Sequence, residues 1–190
     1  WSDNHPGHLP ITVLVEVKDE VIPDPLNLNF VIPLEFGVEA LNRIDAEILS
    51  VFPPEQLIVP DDVRGDFVTL ELAVLTEGWP PLSQARGKIM FALDNSGAAR
   101  ELYIDGHISL EGRILFTDSP AGTPEAAFMK RNNPLSNPGD IEFLVGLGYM
   151  VRTRADSDTV QSRTGDTSQR EAALSSGAHF ISTDYPVPDP

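Results

Sequence analysis

Six short runs recur along this chain, most with an apolar body free of Gly and Pro, and each gives way to charged or polar residues. They are Ile11 to Val17, Lys88 to Asp94, Ile114 to Thr117, Ala127 to Lys130, Met150 to Arg154 and His179 to Thr183. Runs this short fit strands buried on both faces better than helices. Between them, Leu34, Val38, Leu41, Ile44, Ile48 and Val51 fall at helical spacing, and Pro53-Pro54 stops that pattern. The spacing also predicts helices over Asp66 to Glu77, ended by Gly78-Trp79-Pro80-Pro81, over Ile141 to Leu147, capped by Gly148, and over Asp166 to Ser176, ended by Gly177.

Strands alternating with helices or long connections predict a parallel α/β architecture. A doubly wound sheet would hold six strands, but no G-x-G-x-x-G turn is present. Chemistry-bearing side chains follow nearly every strand rather than gathering at one switch point. That distribution favours a TIM barrel. A closed (β/α)8 barrel takes about 250 residues. With 190 residues and Trp1 at its head, the chain reads as an N-terminally truncated portion of one. It covers strands three to eight as a single partial barrel domain over 1–190, with the first two β/α units absent.

Charge and composition narrow the chemistry. Thirteen Lys and Arg against 29 Asp and Glu leave a net charge of −16, the wrong sign for following a phosphate backbone, so nucleic acid is not an expected partner. No apolar run approaches the roughly 18 residues of a spanning helix, and no transmembrane segment is expected. The absence of Cys excludes thiol nucleophiles and Cys-based zinc sites, leaving hard, oxygen-ligated metals.

Side chains on a strand alternate between faces, so Glu16 and Lys18 project together. They fit either a carboxylate metal ligand beside a phosphate-binding ammonium or a salt bridge at a strand end. Arg152, Arg154 and Asp156 share a face by the same alternation. Two guanidinium groups there need partners, which an anionic substrate or an ion-pair layer with Asp94 or Glu16 would supply. Asp94, Asp118 and Lys130 hold comparable strand-end positions with weaker individual signals. His5 and His8 flank a Pro-Gly turn, His107 lies in a connection and His179 begins a strand; no two-histidine acid/base arrangement is visible.

The blocks Leu49-Ser-Val-Phe-Pro-Pro-Glu55, Pro60-Asp-Asp-Val-Arg-Gly65, Gly78-Trp-Pro80, Arg86 to Asn95, Arg113-Ile-Leu-Phe-Thr117 and Thr183 to Pro190 resemble the bacterial calcium-dependent phosphoinositide phospholipase C family. This family sits within the phosphodiesterase TIM-barrel superfamily that also holds glycerophosphodiester phosphodiesterases. The resemblance implies a secreted, calcium-dependent enzyme, and a monomer is expected. It would cleave phosphatidylinositol at a membrane surface to diacylglycerol and a cyclic or open inositol phosphate. By resemblance Glu16 is a Ca2+ ligand that also shares in base work, and Lys18 is the cation two residues on, catalytic and phosphate-binding. Asp94 accepts from inositol ring hydroxyls, Arg154 contacts inositol or phosphate, and the Tyr185 ring, before Pro186, packs on the inositol. The two catalytic histidines and the other calcium ligands would precede Trp1. Asp94 stands where eukaryotic relatives carry lysines, which implies phosphatidylinositol itself rather than its polyphosphorylated forms. A glycerophosphodiester hydrolase is the alternative, weakened by Arg152 where that family has Trp, and a non-catalytic sugar-phosphate-binding barrel is a third.

Overall fold

The computed structural model describes residues 1–136 and 138–185, with Pro138 described by its backbone alone. The order is β1 (Ile11–Val15), α1 (Val38–Val51), β2 (Leu57–Ile58), α2 (Pro60–Arg64), α3 (Leu70–Thr76), α4 (Leu82–Ala85), β3 (Ile89–Leu93) and α5 (Ala98–Ile104). It continues with β4 (Leu115–Thr117), β5 (Phe128–Arg131), α6 (Pro138–Leu147), β6 (Met150–Arg154), α7 (Val160–Thr164), α8 (Ser168–Ser175) and β7 (Phe180–Ser182). Each of the six expected runs contains a strand. The two-residue β2 was not expected, being too short to carry a period.

Every pairing is parallel. One edge of β3 takes β1, with Ile11 opposite Ile89 and Val15 opposite Leu93. Its other edge takes β2 at Ile89 and Met90 and then β4 from Phe91 to Leu93. A second sheet runs β5-β6-β7, and a bridge between Asp118 and Phe128 links β4 to β5. Apart from β2, neighbours therefore follow chain order with no reversal, unlike a doubly wound sheet. Among the described residues β1 and β7 each pair on one side only, and the sheets are not closed.

The register sorts side chains onto two faces. Phe91, Leu93, Leu115, Met129 and Val151 form the face turned to the helices, where Leu41, Leu70, Val74, Tyr103, Ile141 and Leu144 are buried with them. Full burial of each such large side chain is worth about 1.5–3 kcal/mol. Met90, Ala92, Phe116 and Phe128 lie on the other face, also buried, so the central strands are apolar on both sides. Beyond those residues this second face turns polar at the C-terminal strand ends.

Three local departures from the sequence reading have physical causes. First, β1 ends at Val15 rather than Val17, because the Asn95 side chain replaces the ladder beyond it: Val17 N–H donates to Asn95 Oδ1 at 2.8 Å and Asn95 Nδ2 donates to Val17 O at 2.9 Å. Second, α1 begins at Val38 after an extended Gly37, so Leu34 belongs to the preceding loop and stands exposed. Third, α5 and α7 fill connections left without helices, since seven and five residues are too few for a periodic signal.

Gly148, past the C-terminus of α6, has φ +108 and lies so close to α3 that an added Cβ would sit 2.8 Å from Val74 O. Trp79 Nε1 donates to Gly148 O at 3.1 Å, pinning that corner.

Candidate active site

Residues two apart along a strand share a face, and at the C-terminal strand ends one face carries a polar layer. Glu16 extends β1 beside Asp94, whose N–H donates to Val15 O at 2.8 Å. Asp118 N–H reaches Leu93 O, Lys130 is opposite Arg152 in register, and Arg154 is opposite Ser182. Glu16, Lys18, Asp94, Asp118, Lys130, Arg152, Arg154 and Asp184 make up this layer and its rim. Four anions and four cations balance formally in a chain whose net charge is −16.

Lys130 is the hub. Its Nζ lies 3.1 Å from Asp94 Oδ2 and 4.0 Å from Asp118 Oδ2 and donates to Asp94 O at 2.5 Å, while its N–H donates to Asp118 Oδ1 at 2.8 Å. The other Asp94 oxygen, Oδ1, is buried with no partner among the described residues. Such an acceptor costs free energy unless a donor or cation meets it.

Arg152 is held from both sides: Nη1 donates to Asn132 Oδ1 at 2.5 Å and Nη2 to Ser182 Oγ at 2.7 Å. Its Nε is buried and unpartnered among the described residues. Desolvation pulls its pKa down, and Arg154 adds to that pull, while Asp94, Asp184 and Asp118 oppose it. The anticipated ion pair between Arg152 and Asp94 is therefore a through-space attraction: Lys130 meets Asp94 Oδ2, and Asn132 and Ser182 take the two terminal nitrogens of Arg152. Asn132 and Ser182, which fix the guanidinium, carried no signal in the sequence beyond their strand-end positions.

Glu16 and Lys18 pair at 3.2 Å in an exposed position, where such a bridge contributes at most about 1 kcal/mol. Asp156 does not join the arginine face. With β6 ended at Arg154, alternation stops, and the buried Asp156 carboxylate accepts from the Thr183 hydroxyl and from Asp184 N–H at 2.9 Å, tying the chain after β7 to the end of β6. Tyr185 OH donates to Asp158 O at 3.0 Å. Pro186 and the rest of the last resemblance block, through Pro190, lie outside the described residues.

A cavity of about 190 Å³ borders the layer beside Lys130, lined also by Asn132, Asn133, Ser136 and the Arg131–Asp140 pair. All four histidines lie toward the opposite end, in segments that lead into strands. His5 stacks on Trp1, His8 Nε2 lies 2.7 Å from Ser2 Oγ, His107 Nδ1 meets Glu111 O, and His179 Nδ1 accepts from Val151 N–H.

Calcium takes six to eight oxygen ligands. Among the described residues no three carboxylate or histidine side chains gather closely enough to hold a metal ion alone. What the layer offers is the accessible Glu16 carboxylate and, on the neighbouring strand, the unpartnered Asp94 Oδ1. Carboxylate oxygens of this kind suit a hard cation, and the two residues that carry them sit side by side on neighbouring strands.

Comparison with known proteins adds three findings. A family model described as phosphoinositide phospholipase C, Ca2+-dependent, matches residues 1–190. A Ca2+-dependent phosphatidylinositol-specific phospholipase C from Streptomyces antibioticus superposes with a TM-score of 0.66 at 19% identity, covering 96% of this chain and 66% of that one. The calcium-dependent phosphoinositol-specific phospholipase C of a Gram-negative Pseudomonas sp, in an apo form, myoinositol complex structure, gives 0.61 at 16% identity, covering 96% and 61%. This chain thus spans about three fifths to two thirds of the length of these structures, and the likeness to them is one of fold. No curated protein sequence matches.

Proposed function

The chain belongs to the calcium-dependent phosphoinositide phospholipase C family, and we propose that it acts in that family's chemistry on phosphatidylinositol, using the polar layer at its strand ends. Members of the family are phosphodiesterases. The neighbour order β1-β3-β4-β5-β6-β7, all parallel, supports reading the two sheets as one arc of a TIM barrel. The observation that carries the proposal is the layer itself. It sets two arginines and a caged lysine beside a carboxylate with one buried oxygen that has no partner among the described residues, at the C-terminal ends of consecutive parallel strands.

Each residue then has a task. Glu16 presents a carboxylate to calcium, and Asp94 Oδ1 accepts from an inositol hydroxyl or completes that edge of the shell. Arg154, for which no side-chain partner is found among the described residues, meets the phosphate or ring oxygens. Lys18 covers the same side as a second cation, and Tyr185 offers its ring to the inositol face. Arg152, fixed by Asn132 and Ser182, is a positioning residue that holds positive potential against Asp94 and Arg154. Calcium, when bound, supplies positive charge that neutralises the phosphodiester oxygens.

In the proposed reaction the inositol 2-oxygen forms a bond to phosphorus, the bond to the diacylglycerol oxygen breaks, and a proton passes to that leaving oxygen. None of the four histidines reaches this layer, so we assign the acid and base to groups other than these four. Titration of the full-length gene product with myo-inositol 1-phosphate in the presence of calcium tests the layer. Arg154→Gln is expected to weaken binding by about tenfold or more, and unchanged affinity would remove Arg154 from the site.

A further inference from the structure

The connection after β1 is the most apolar exposed segment of the molecule, and it leaves the sheet directly beyond Glu16 and Lys18. Between Val21 and Leu34 it displays Val21, Ile22, Leu26, Leu28, Val31 and Ile32 to solvent, and Leu34 closes the series; Leu26 is 75% exposed, Val31 90% and Leu34 89%. A chain of this size normally hides such residues, and a contiguous exposed group of them marks a contact surface.

The loop is built rather than loose. At its base Asp19 Oδ2 accepts from Phe36 N–H at 2.8 Å. At its tip the Asp24 carboxylate accepts from Leu28 N–H at 2.7 Å and from Phe30 N–H at 3.4 Å, while Asn27 and Asn29 adopt φ of 53° and 57°. Asp24 is the one charged residue between Val21 and Leu34, and its charge is turned onto the loop's own backbone. Pro23, Pro25 and Pro33 restrict φ and lower the cost of ordering the loop on contact.

We propose that residues 21–34 dock the protein on a lipid bilayer, inserting their apolar side chains at the interface and setting the strand-end layer over the headgroups. Three observations favour lipid over a protein partner. The segment borders the layer that the phospholipase reading assigns to a lipid headgroup, and the proposal rests on that reading for this point. It carries one charge, Asp24, in a chain of net −16, so little of that chain's repulsion from an anionic membrane arises within the segment itself. Its apolar side chains also belong to a loop without helix or strand, which a fluid interface accommodates more readily than a shaped groove does.

Co-sedimentation with vesicles of pure phosphatidylcholine tests docking with no inositol lipid present. The full-length gene product is expected to partition onto them, and its triple variant Leu26→Ser, Val31→Ser, Leu34→Ser to partition at least about tenfold less. A Val31→Trp variant checks insertion independently, through a blue shift on adding vesicles and quenching by brominated phosphatidylcholine, each read against the parent protein. Absence of binding, equal binding by the triple variant, or emission from the introduced indole that vesicles leave unmoved overturns the proposal. So does a protein dimer that the triple variant dissolves while vesicle binding persists. Turnover of dissolved short-chain phosphatidylinositol by the full-length gene product reports on the phospholipase reading separately: turnover without vesicle binding overturns docking alone, and vesicle binding without turnover overturns that reading alone.

Discussion

Lys130 and Glu16 show how differently two charged residues of one layer contribute. Lys130 is enclosed by Asp94 and Asp118, so Lys130→Met leaves two carboxylates facing each other and should cost about 2 kcal/mol in urea unfolding. Glu16 pairs only with an exposed Lys18, so Glu16→Gln should leave stability within about 0.5 kcal/mol. His179 supplies a pH dependence. Its Nδ1 must stay unprotonated to accept from Val151 N–H, and burial pulls its pKa below 6.5. The unfolded chain takes up that proton first, so stability should fall as pH drops below about 6.5 through the depressed folded value. Comparing urea midpoints at pH 7.5 and 5.5, in the protein and in His179→Phe, isolates the term, and the variant should show a smaller decline. Strand alternation made Glu16, Arg152 and Arg154 legible in the sequence, and position at a strand end marked Asp94 and Lys130 more weakly. Their partners were not legible, because whether Asp94 meets a lysine or an arginine depends on the stagger between strands.

Among the elements, apolar runs located all the longer strands, while boundaries followed side-chain chemistry that no periodicity carries, as Asn95 at the end of β1 shows. The short helix α5 went unread, yet it anchors a polar cluster behind the sheet. Tyr103 OH donates to Asp45 Oδ1 at 2.5 Å and accepts from Leu115 N–H at 3.0 Å, with the Arg113 guanidinium 4.4 Å from its ring centre. Burial, with Asp45 beside it, holds the Tyr103 hydroxyl protonated far above its usual range. Tyr103→Phe strands both partners and should cost about 1–3 kcal/mol. Gly148→Ala should cost at least about 1 kcal/mol, because its φ and its approach to Val74 O both exclude a Cβ. Thermal melting of the two variants checks both values, and a melting point equal to that of the parent would remove the assigned role.

At the scale of the whole molecule, parallel strands in chain order carry every charged residue of the layer to one end and every histidine toward the other. The sequence made the alternation of strands and helices readable. Pro23 and Pro25 among apolar residues also marked residues 21–32 as a loop, but its exposure and its extent were not legible, because Leu34 matched the periodic stripe of the following helix and only the start of α1 at Val38 sets it apart. A face with balanced charge and an apolar loop beside it that carries Asp24 as its one charge give a chain of net −16 a way to meet an anionic lipid. The central claim is that this layer serves calcium-dependent cleavage of phosphatidylinositol. Phosphorus NMR of that lipid incubated with the full-length gene product tests it most directly, with calcium, then with excess chelator, and beside Glu16→Gln. An inositol phosphate signal should grow with calcium, stop with chelator, and fall about 100-fold in the variant. Turnover that survives the chelator, or is untouched in Glu16→Gln, would contradict the account, as would release of glycerol phosphate from glycerophosphodiesters with phosphatidylinositol left intact.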